Sequence, residues 1–194
     1  MVGHGRYRDG EQVVQAIDEV LAFWFAEGMS KVWFVKNPSF DAEVRSVLGE
    51  HRERAAAGDC DHWMESGRGC VALVILLDQA PRNIFRDDPR AYATDEKARA
   101  VTRHALQAGL DGGLPQVERI FLYLPLEHSE NLDDQTLCCE LASRLDEDPA
   151  WHRYALQHRE VIERFGRFPH RNAVLGRRST PEELEFLKRK DAGF

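Results

Sequence analysis

The sequence predicts an all-α protein of seven or eight helices, packed as antiparallel pairs in layers. Apolar residues recur at helical spacing along the chain, residues that start and stop helices separate these segments, and the connecting loops are short. With 194 residues and a hydrophobic share of 43%, the chain can bury one core. We expect a single helical domain over residues 1–194, with a flexible N-terminus at residues 1–8.

The first two helices are predicted from apolar periodicity that ends at a glycine. Apolar residues recur at helical spacing over residues 13–25, and Gly28 stops this helix. Asp41 opens the second helix, which ends at Gly58. The connector between them is aromatic, and we expect its rings to cover the core: Trp33, Phe34 and Phe40.

The segment from Val71 to Leu77 is predicted to be the central helix, because it is apolar on every side. A buried strand is the alternative, since valine and isoleucine favour strands. The helix is preferred because the segment continues through Asp78, Gln79 and Ala80 before Pro81 ends it. No other segment offers a strand partner.

Two helices are predicted in the middle of the chain. Asp88 and Pro89 form a cap and first helical residue, and the longer helix begins at Thr94 or Asp95 and ends at Gly109. Pro115 opens the next helix, which Pro125 interrupts.

Three further helices are predicted in the last third. Residues 133–145 are amphipathic, and a second helix begins at Asp148-Pro149 and ends at Phe165 with Gly166 as its stop. The residues Thr180-Pro181-Glu182-Glu183 form a capping box, with proline in the first helical position, at the start of the last helix.

Charge and composition exclude several classes of function. The net charge of −7 argues against a nucleic-acid binder, which needs a basic surface. The longest strongly apolar run, residues 69–77, is too short to span a membrane, and the N-terminus has no apolar leader. The four cysteines match no CxxC or zinc spacing, as expected of reduced thiols. We therefore expect a cytoplasmic protein with neither nucleic-acid nor membrane partners.

The first of three polar stretches ends the central apolar helix and contains Asp78, Arg82 and Asn83. These side chains have two interpretations. They satisfy the free carbonyl groups of a helix end, where cations are favoured. Alternatively, they form a polar pocket at the end of the core helix and bind a ligand there.

The second polar stretch follows Pro125 and contains Glu127, His128 and Glu130. The two glutamates share a helix face, and with the histidine they are candidates for acid–base chemistry if burial raises one carboxyl pKa. A metal site would need His158 or His170 as further ligands, and without an HExxH pattern we expect none. The alternative is a solvated turn whose acids pair with arginines.

The third polar stretch lies in a basic region of an acidic protein, with seven arginines and two acids between Arg153 and Arg178. Arginine binds carboxylate and phosphate with two hydrogen bonds. One interpretation is an anion pocket; the other is an internal network with the acids of the first two stretches. The candidate residues are Arg167, His170, Arg171 and Asn172.

Four segments carry a resemblance to a known family: WF at residues 24–25, LVILLDQAPRN at 73–83, YLPLEHSE at 123–130 and RFGRFPHRNAVLGR at 164–177. Together they resemble the bacterial domain-of-unknown-function family 924 over nearly the whole chain. The resemblance implies a tetratricopeptide-like α-α superhelix, a stack of helix pairs, and implies no activity. Ala80 departs from the bulkier residue expected before the proline.

Two functions are compatible with this sequence. In the first, the chain binds a small anionic ligand in a pocket formed by the three stretches, with Glu127, His128 and His170 available for proton transfer. In the second, it is a helical module that binds a protein or peptide through an exposed aromatic patch, with Trp33, Phe34 and Trp63 as candidates. No phosphate loop, nucleophile motif or cofactor motif is present, so we expect no cofactor.

Overall fold

The computed structural model describes residues 5–145 and 149–189. Over these residues the protein is all-helical and has no strand, which confirms the predicted fold class. Of the predicted flexible N-terminus, residues 1–4 lie outside the described part, and the first helix begins at Gly5. No helix in the described part is long and apolar enough to cross a membrane.

Eight α-helices follow one another along the described chain. They are α1 (Gly5–Trp24), α2 (Pro38–Ala57), α3 (Gly67–Val74, continuing as a π-helical turn at Ile75–Gln79 and as Ala80–Ile84), α4 (Asp95–Gln107), α5 (Gln116–Glu127), α6 (Leu132–Ala142), α7 (Ala150–Phe165) and α8 (Pro181–Phe186). Short 3₁₀ turns lie between several of them, at Met29–Lys31, Asp61–Glu65, Pro89–Tyr92 and Pro169–Arg171.

Most helix ends follow the predicted start and stop residues. The backbone is left-handed at the four predicted stops, a conformation that glycine adopts without a steric penalty: Gly28, Gly58, Gly109 and Gly166. Thr180 and Glu183 form the predicted capping box. The start of α2 differs from the prediction, because Asn37 caps it at the backbone N–H groups of Ser39 and Phe40. Asp148 lies outside the described residues.

The helix α3 is the centre of the core, as the sequence predicts. Its residues from Cys70 to Ala80 are buried almost completely, and it packs against α1, α2, α4 and α5. Consecutive helices from α4 to α7 also pack against each other. The predicted tetratricopeptide-like arrangement of these helices stays a prediction.

The prediction that Pro81 ends the central helix is wrong, because α3 continues to Ile84. A π-helical turn precedes the proline, and within it the Ala80 N–H donates to the carbonyl of Ile75. Proline cannot donate to the carbonyl four residues earlier, that of Leu77. The Thr94 hydroxyl donates to this carbonyl at 2.5 Å. Pro125 likewise does not interrupt α5, which reaches Glu127.

A smaller core holds the C-terminal segment against the main body. It consists of Val161 and Ile162 of α7, Phe168 and Phe186, with Phe165 and Leu187 packed at its edge. The Arg-rich stretch that follows α7 is folded back over the end of α5, where Phe168 and Arg171 bind Glu130 and the His128 carbonyl, and Arg171 approaches Asp95 at the start of α4. This placement brings the three polar stretches together.

Candidate functional site

A cavity of about 680 Å³ lies where these polar stretches meet, a volume typical of small-molecule sites. Its polar wall comes from the end of α3, the end of α5 and the segment after α7. Its aromatic wall comes from α7 and from the connector between α1 and α2. Six of the ten sequence-predicted site residues line it: Arg82, Asn83, Glu127, His128, His170 and Arg171.

Asp78 lies beneath the cavity floor rather than in its lining. Its two carboxylate oxygens are each 2.9 Å from Nδ1 of His128. Gln79 donates to one of these oxygens at 2.6 Å, and Nη1 of Arg82 lies 3.1 Å from the other. Burial alone would raise the pKa of Asp78, but Arg82 and His128 hold it well below its usual range. Asp78 is therefore ionised and fully partnered.

Arg82 is an arginine whose charge is already satisfied. Its two terminal nitrogens donate to the two oxygens of Asp95 at 2.9 and 3.0 Å, and one of them also donates to the Asp78 carbonyl at 2.7 Å. Burial opposes its charge, but Asp78 and Asp95 raise the pKa of Arg82 above its usual value. These contacts agree with the interpretation of Arg82 as a partner of the helix end, since it binds the helix backbone. Arg82 also lines the cavity, and ligand binding there stays a prediction.

Glu127 is a buried acid without a strong partner among the described residues. Its side chain is 8% exposed, and the described residues place one basic side-chain atom within 4 Å of its carboxylate, Nδ1 of His158 at 3.6 Å. That nitrogen donates its proton to the Tyr154 carbonyl at 2.9 Å, because a carbonyl only accepts. Burial, with a contribution from the Asp78 charge, raises the pKa of Glu127 to about 8. Its carboxyl group is therefore protonated at neutral pH.

The three histidines of the cavity are neutral at pH 7. Burial lowers the pKa of His158 to about 3 and that of His170 to about 4, and neighbouring cationic groups add to both shifts. Burial also lowers the pKa of His128, against the opposing charge of Asp78. A neutral imidazole has one nitrogen that can accept a proton. At neutral pH the cavity therefore contains three neutral imidazole rings and one protonated carboxyl group.

Arg171 is buried with fewer partners than Arg82. Its side chain is 8% exposed, Nη1 donates to the His128 carbonyl at 3.0 Å, and the guanidinium packs over the rings of Tyr92 and Phe168. The nearest carboxylate oxygen, in Asp95, is 3.8 Å away, and Nε has no hydrogen-bond partner. Burial, followed by the charge of Arg82, lowers the pKa of Arg171 to about 10. Its surroundings therefore disfavour its positive charge.

Four of the sequence-predicted residues do not line the cavity: Asp78, Glu130, Arg167 and Asn172. Glu130 binds both terminal nitrogens of Arg177, at 2.7 and 2.9 Å, and accepts from the backbone N–H of Phe168. Arg167 pairs with Glu183, whose carboxylate also accepts from Asn172. The contacts of these residues are therefore those of an internal network, the alternative to an anion pocket. This network holds the segment that contains Arg171 in place.

Three aromatic residues of the cavity were not predicted as part of a site: Tyr92, Trp151 and Tyr154. Tyr92 packs beneath both arginines, and the other two, from α7, form part of the aromatic wall. Trp33 and Phe34 of the connector also line this wall, and they were predicted as candidates for a patch that binds a protein or peptide. Asp95, the partner of Arg82, was predicted only as a helix start. Its sequence signal, an acid in a first helical turn, is common to most helices and does not indicate a site.

The described residues contain no cluster of three or more His, Cys, Asp or Glu side chains that could hold a metal ion. All four cysteines are buried free thiols. Burial raises the pKa of each, which makes them poor nucleophiles. The reactive groups that face the cavity are therefore its carboxyl, imidazole and guanidinium groups.

Comparisons with known proteins identify relatives whose function is unknown. A family described as bacterial protein of unknown function, DUF924, matches residues 20–191. The chain is similar to a solved protein of unknown function from Agrobacterium tumefaciens. That protein is 36% identical, with a TM-score of 0.86 over 91% of this chain and 98% of that chain. A search of curated proteins gave no match.

Proposed function

We propose that this chain, which belongs to the bacterial DUF924 family, binds a small organic anion in the cavity between the ends of α3 and α5 and α7. The ligand would carry a carboxylate or a phosphate group. One observation carries the proposal: a buried arginine in the cavity wall, Arg171, has no carboxylate within hydrogen-bonding distance. Cations of this kind are normally paired when they are buried.

The comparison with Arg82 supports this role for Arg171. Arg82 has a bidentate carboxylate partner, so its charge is compensated inside the protein. Arg171 has one hydrogen bond to a backbone carbonyl, and its lowered pKa means that its surroundings disfavour a positive charge. A bound anion would stabilise the positive charge of Arg171 and raise its pKa, because a charge-assisted hydrogen bond is strongest away from water.

The aromatic wall supports an organic ligand over a simple inorganic ion. The cavity lining includes four aromatic side chains from the connector and α7: Trp33, Phe34, Trp151 and Tyr154. Such rings favour the flat or apolar part of a ligand. Small metabolites of the cytoplasm fit this description, and the unpaired state of all four cysteines supports that compartment as part of the proposal.

Tryptophan fluorescence provides the test. Trp33 and Trp151 line the cavity, whereas Trp24 and Trp63 are buried in the core, so a ligand in the cavity quenches only part of the emission. The probes are benzoate, phenyl phosphate and inorganic phosphate, titrated in a phosphate-free buffer. We expect saturable quenching by the aromatic probes and weaker binding of inorganic phosphate.

Two arginine variants test whether the anion binds at Arg171 or elsewhere in the basic stretch. Arg171→Gln should weaken binding of the aromatic anions at least tenfold, since a charged hydrogen bond contributes ~1.5–3 kcal/mol. Arg167→Gln is the matched control, because Arg167 belongs to the same basic stretch but is paired with Glu183 outside the cavity. Equal affinities in both variants, or no quenching by any probe, would contradict the proposal.

A peptide-binding module is the second candidate, and an exposed apolar pair at the cavity edge favours it. Phe34 is 58% exposed and Val35 is 55% exposed. Trp63, also a candidate for this patch, is 3% exposed and lies in the core. A short peptide with a free C-terminal carboxylate should then quench the cavity tryptophans, and its amidated form should not. Equal binding of both forms would mean that the peptide does not bind through the anion site.

A further inference from the structure

We propose that the cavity catalyses the removal of a proton from a carbon atom next to a carbonyl group, with His128 as general base and Glu127 as general acid. The substrate class is a small anion that carries such a carbonyl group, so the inference rests on the proposed anion site. The reaction belongs to the enolisations and double-bond isomerisations. The two residues are adjacent at the end of α5, and both line the cavity.

The hydrogen bond with Asp78 sets which nitrogen of His128 can act as the base. An ionised carboxylate only accepts hydrogen bonds, so the 2.9 Å contacts place the imidazole proton on Nδ1. The lone pair of the neutral ring is then on Nε2. No described residue forms a hydrogen bond with Nε2, and this atom is not among the buried polar atoms that lack a partner. Nε2 is therefore the base that the ring presents to the cavity.

Asp78 is a positioning residue in this arrangement, because it does not line the cavity. Gln79 and Arg82 hold its carboxylate from two further directions, so the group cannot turn away from the imidazole. An oriented carboxylate of this kind fixes the tautomer of a histidine and stabilises the imidazolium ion that forms when the ring takes up a proton.

Glu127 supplies the acid. It lines the cavity, and no described residue offers it a hydrogen bond or a full positive charge. Burial and the Asp78 charge keep its carboxyl group protonated at neutral pH. A neutral carboxylic acid in such a site donates a hydrogen bond to a carbonyl oxygen and stabilises the negative charge that develops there.

The proposed step conserves atoms and charge without a co-reactant. Nε2 of His128 takes the proton from carbon, and the electron pair of the C–H bond forms a C=C bond. The π pair of the carbonyl group takes the proton of Glu127 on oxygen, which leaves an enol, an imidazolium ion and a carboxylate. Reversal at the same carbon exchanges its hydrogen with solvent, and return of the proton further along a conjugated chain moves a double bond.

The elimination of 5-nitrobenzisoxazole tests the base directly. In this reaction a base takes the C3 proton, the N–O bond breaks, and the electron pair ends on the oxygen of a coloured cyanophenolate. We expect the wild type to exceed free imidazole at equal concentration. His128→Gln should lower kcat/KM about a hundredfold, as for loss of a general base. His62→Gln, a change at an exposed histidine outside the cavity, should leave the rate unchanged.

Unsubstituted benzisoxazole tests the acid, because its leaving oxygen is more basic than that of the nitro compound. Glu127→Gln should slow the unsubstituted probe several-fold more than the nitro probe. Asp78→Asn should change the tautomer pattern of His128 in ¹⁵N spectra as well as the rate, which a purely structural role would not do. Equal slowing of the two probes by Glu127→Gln would overturn the acid assignment.

The neutral probe separates this inference from the anion site. His128→Gln should lose the elimination of 5-nitrobenzisoxazole but retain its affinity for benzoate, since Arg171 is unchanged. Arg167→Gln, outside the cavity, should retain both. A wild-type rate no higher than that of folded His128→Gln would overturn the assignment of the base. Failure of benzoate binding, with elimination intact, would instead overturn the proposed ligand.

Discussion

Asp78 and His128 lie fifty residues apart in the chain and share a buried hydrogen bond in which Nδ1 is 2.9 Å from each carboxylate oxygen. This contact joins the middle of α3 to the end of α5 beneath the cavity. Arg82 completes the group from one turn further along α3, with Nη1 at 3.1 Å. The same three residues therefore connect the stability of the core with the geometry of the candidate site.

Acid should remove the stability that Asp78 contributes. Its pKa in the folded protein is lowered from 3.8, so the unfolded chain binds the proton first as the pH falls. The contribution is complete above about pH 3.8 and is lost progressively below it. In urea unfolding, the free energy of unfolding should decrease less between pH 5 and pH 2 in Asp78→Asn than in the wild type.

The same variant should be less stable at neutral pH. Asp95 remains the bidentate partner of Arg82, so we expect a cost of ~1–3 kcal/mol, that of weakened charged hydrogen bonds to His128 and Arg82. Asp18→Asn is the control, since Asp18 forms an exposed ion pair with Arg68 and should change stability by less than ~1 kcal/mol. Equal effects of the two changes at pH 7 would contradict the importance of the buried contact.

Glu127→Gln should become more stable relative to the wild type as the pH rises from about 4.5 to about 8. The pKa of Glu127 is raised to about 8 in the folded state, so the folded chain retains a proton that the unfolded chain releases above about pH 4.5. Stability therefore decreases between these pH values, by up to ~1.4 kcal/mol per pH unit for this group. The variant lacks this contribution to the pH dependence of the free energy of unfolding. Urea unfolding at pH 5.5, 6.5 and 7.5 measures the difference.

Glu53→Gln is the matched control for this pH dependence. Glu53 is 67% exposed in its pair with Arg52, so its removal should leave the slope of the wild type unchanged. An identical slope in Glu127→Gln and wild type would mean that Glu127 is ionised in the folded protein. The acid role proposed for it would then fail as well.

Thr94→Val should destabilise the protein by ~1–3 kcal/mol, the cost of a buried carbonyl without a partner. The Thr94 hydroxyl donates to the carbonyl of Leu77, to which Pro81 cannot donate. Thr136→Val provides the comparison, because the Thr136 hydroxyl donates to a carbonyl of its own helix at an exposed position. Thermal unfolding of both variants is the measurement, and a similar small shift in both would contradict the expectation.

Gly69→Ala should be strongly destabilising, whereas Gly49→Ala should be mildly stabilising. A Cβ atom on Gly69 would lie 2.0 Å from the carbonyl oxygen of Trp63, so the backbone at the start of α3 would have to move. A Cβ atom on Gly49, in α2, meets nothing within 4 Å, and alanine there favours the helix by ~0.5–1 kcal/mol. Urea unfolding of both variants checks the opposite signs.

The helices and most of their ends follow from short patterns in the amino-acid sequence. Caps such as Thr180 with Glu183, and stops such as Gly58 and Gly166, act within a few residues of the chain, so the local pattern contains the whole interaction. Complete burial of residues 71–77 follows from an apolar pattern that leaves no side for water.

The courses of α3 and α5 past their prolines, and the set of polar residues that line the cavity, depend on contacts between helices. Pro81 does not end α3, because Thr94, thirteen residues later, supplies a hydrogen bond to Leu77. The sequence likewise identified Arg82 and Arg171 as candidates, but not that Asp95 would satisfy one and leave the other with a free Nε. The physical reason is that pairing of charges depends on distances between helices, and packing of the whole core sets those distances.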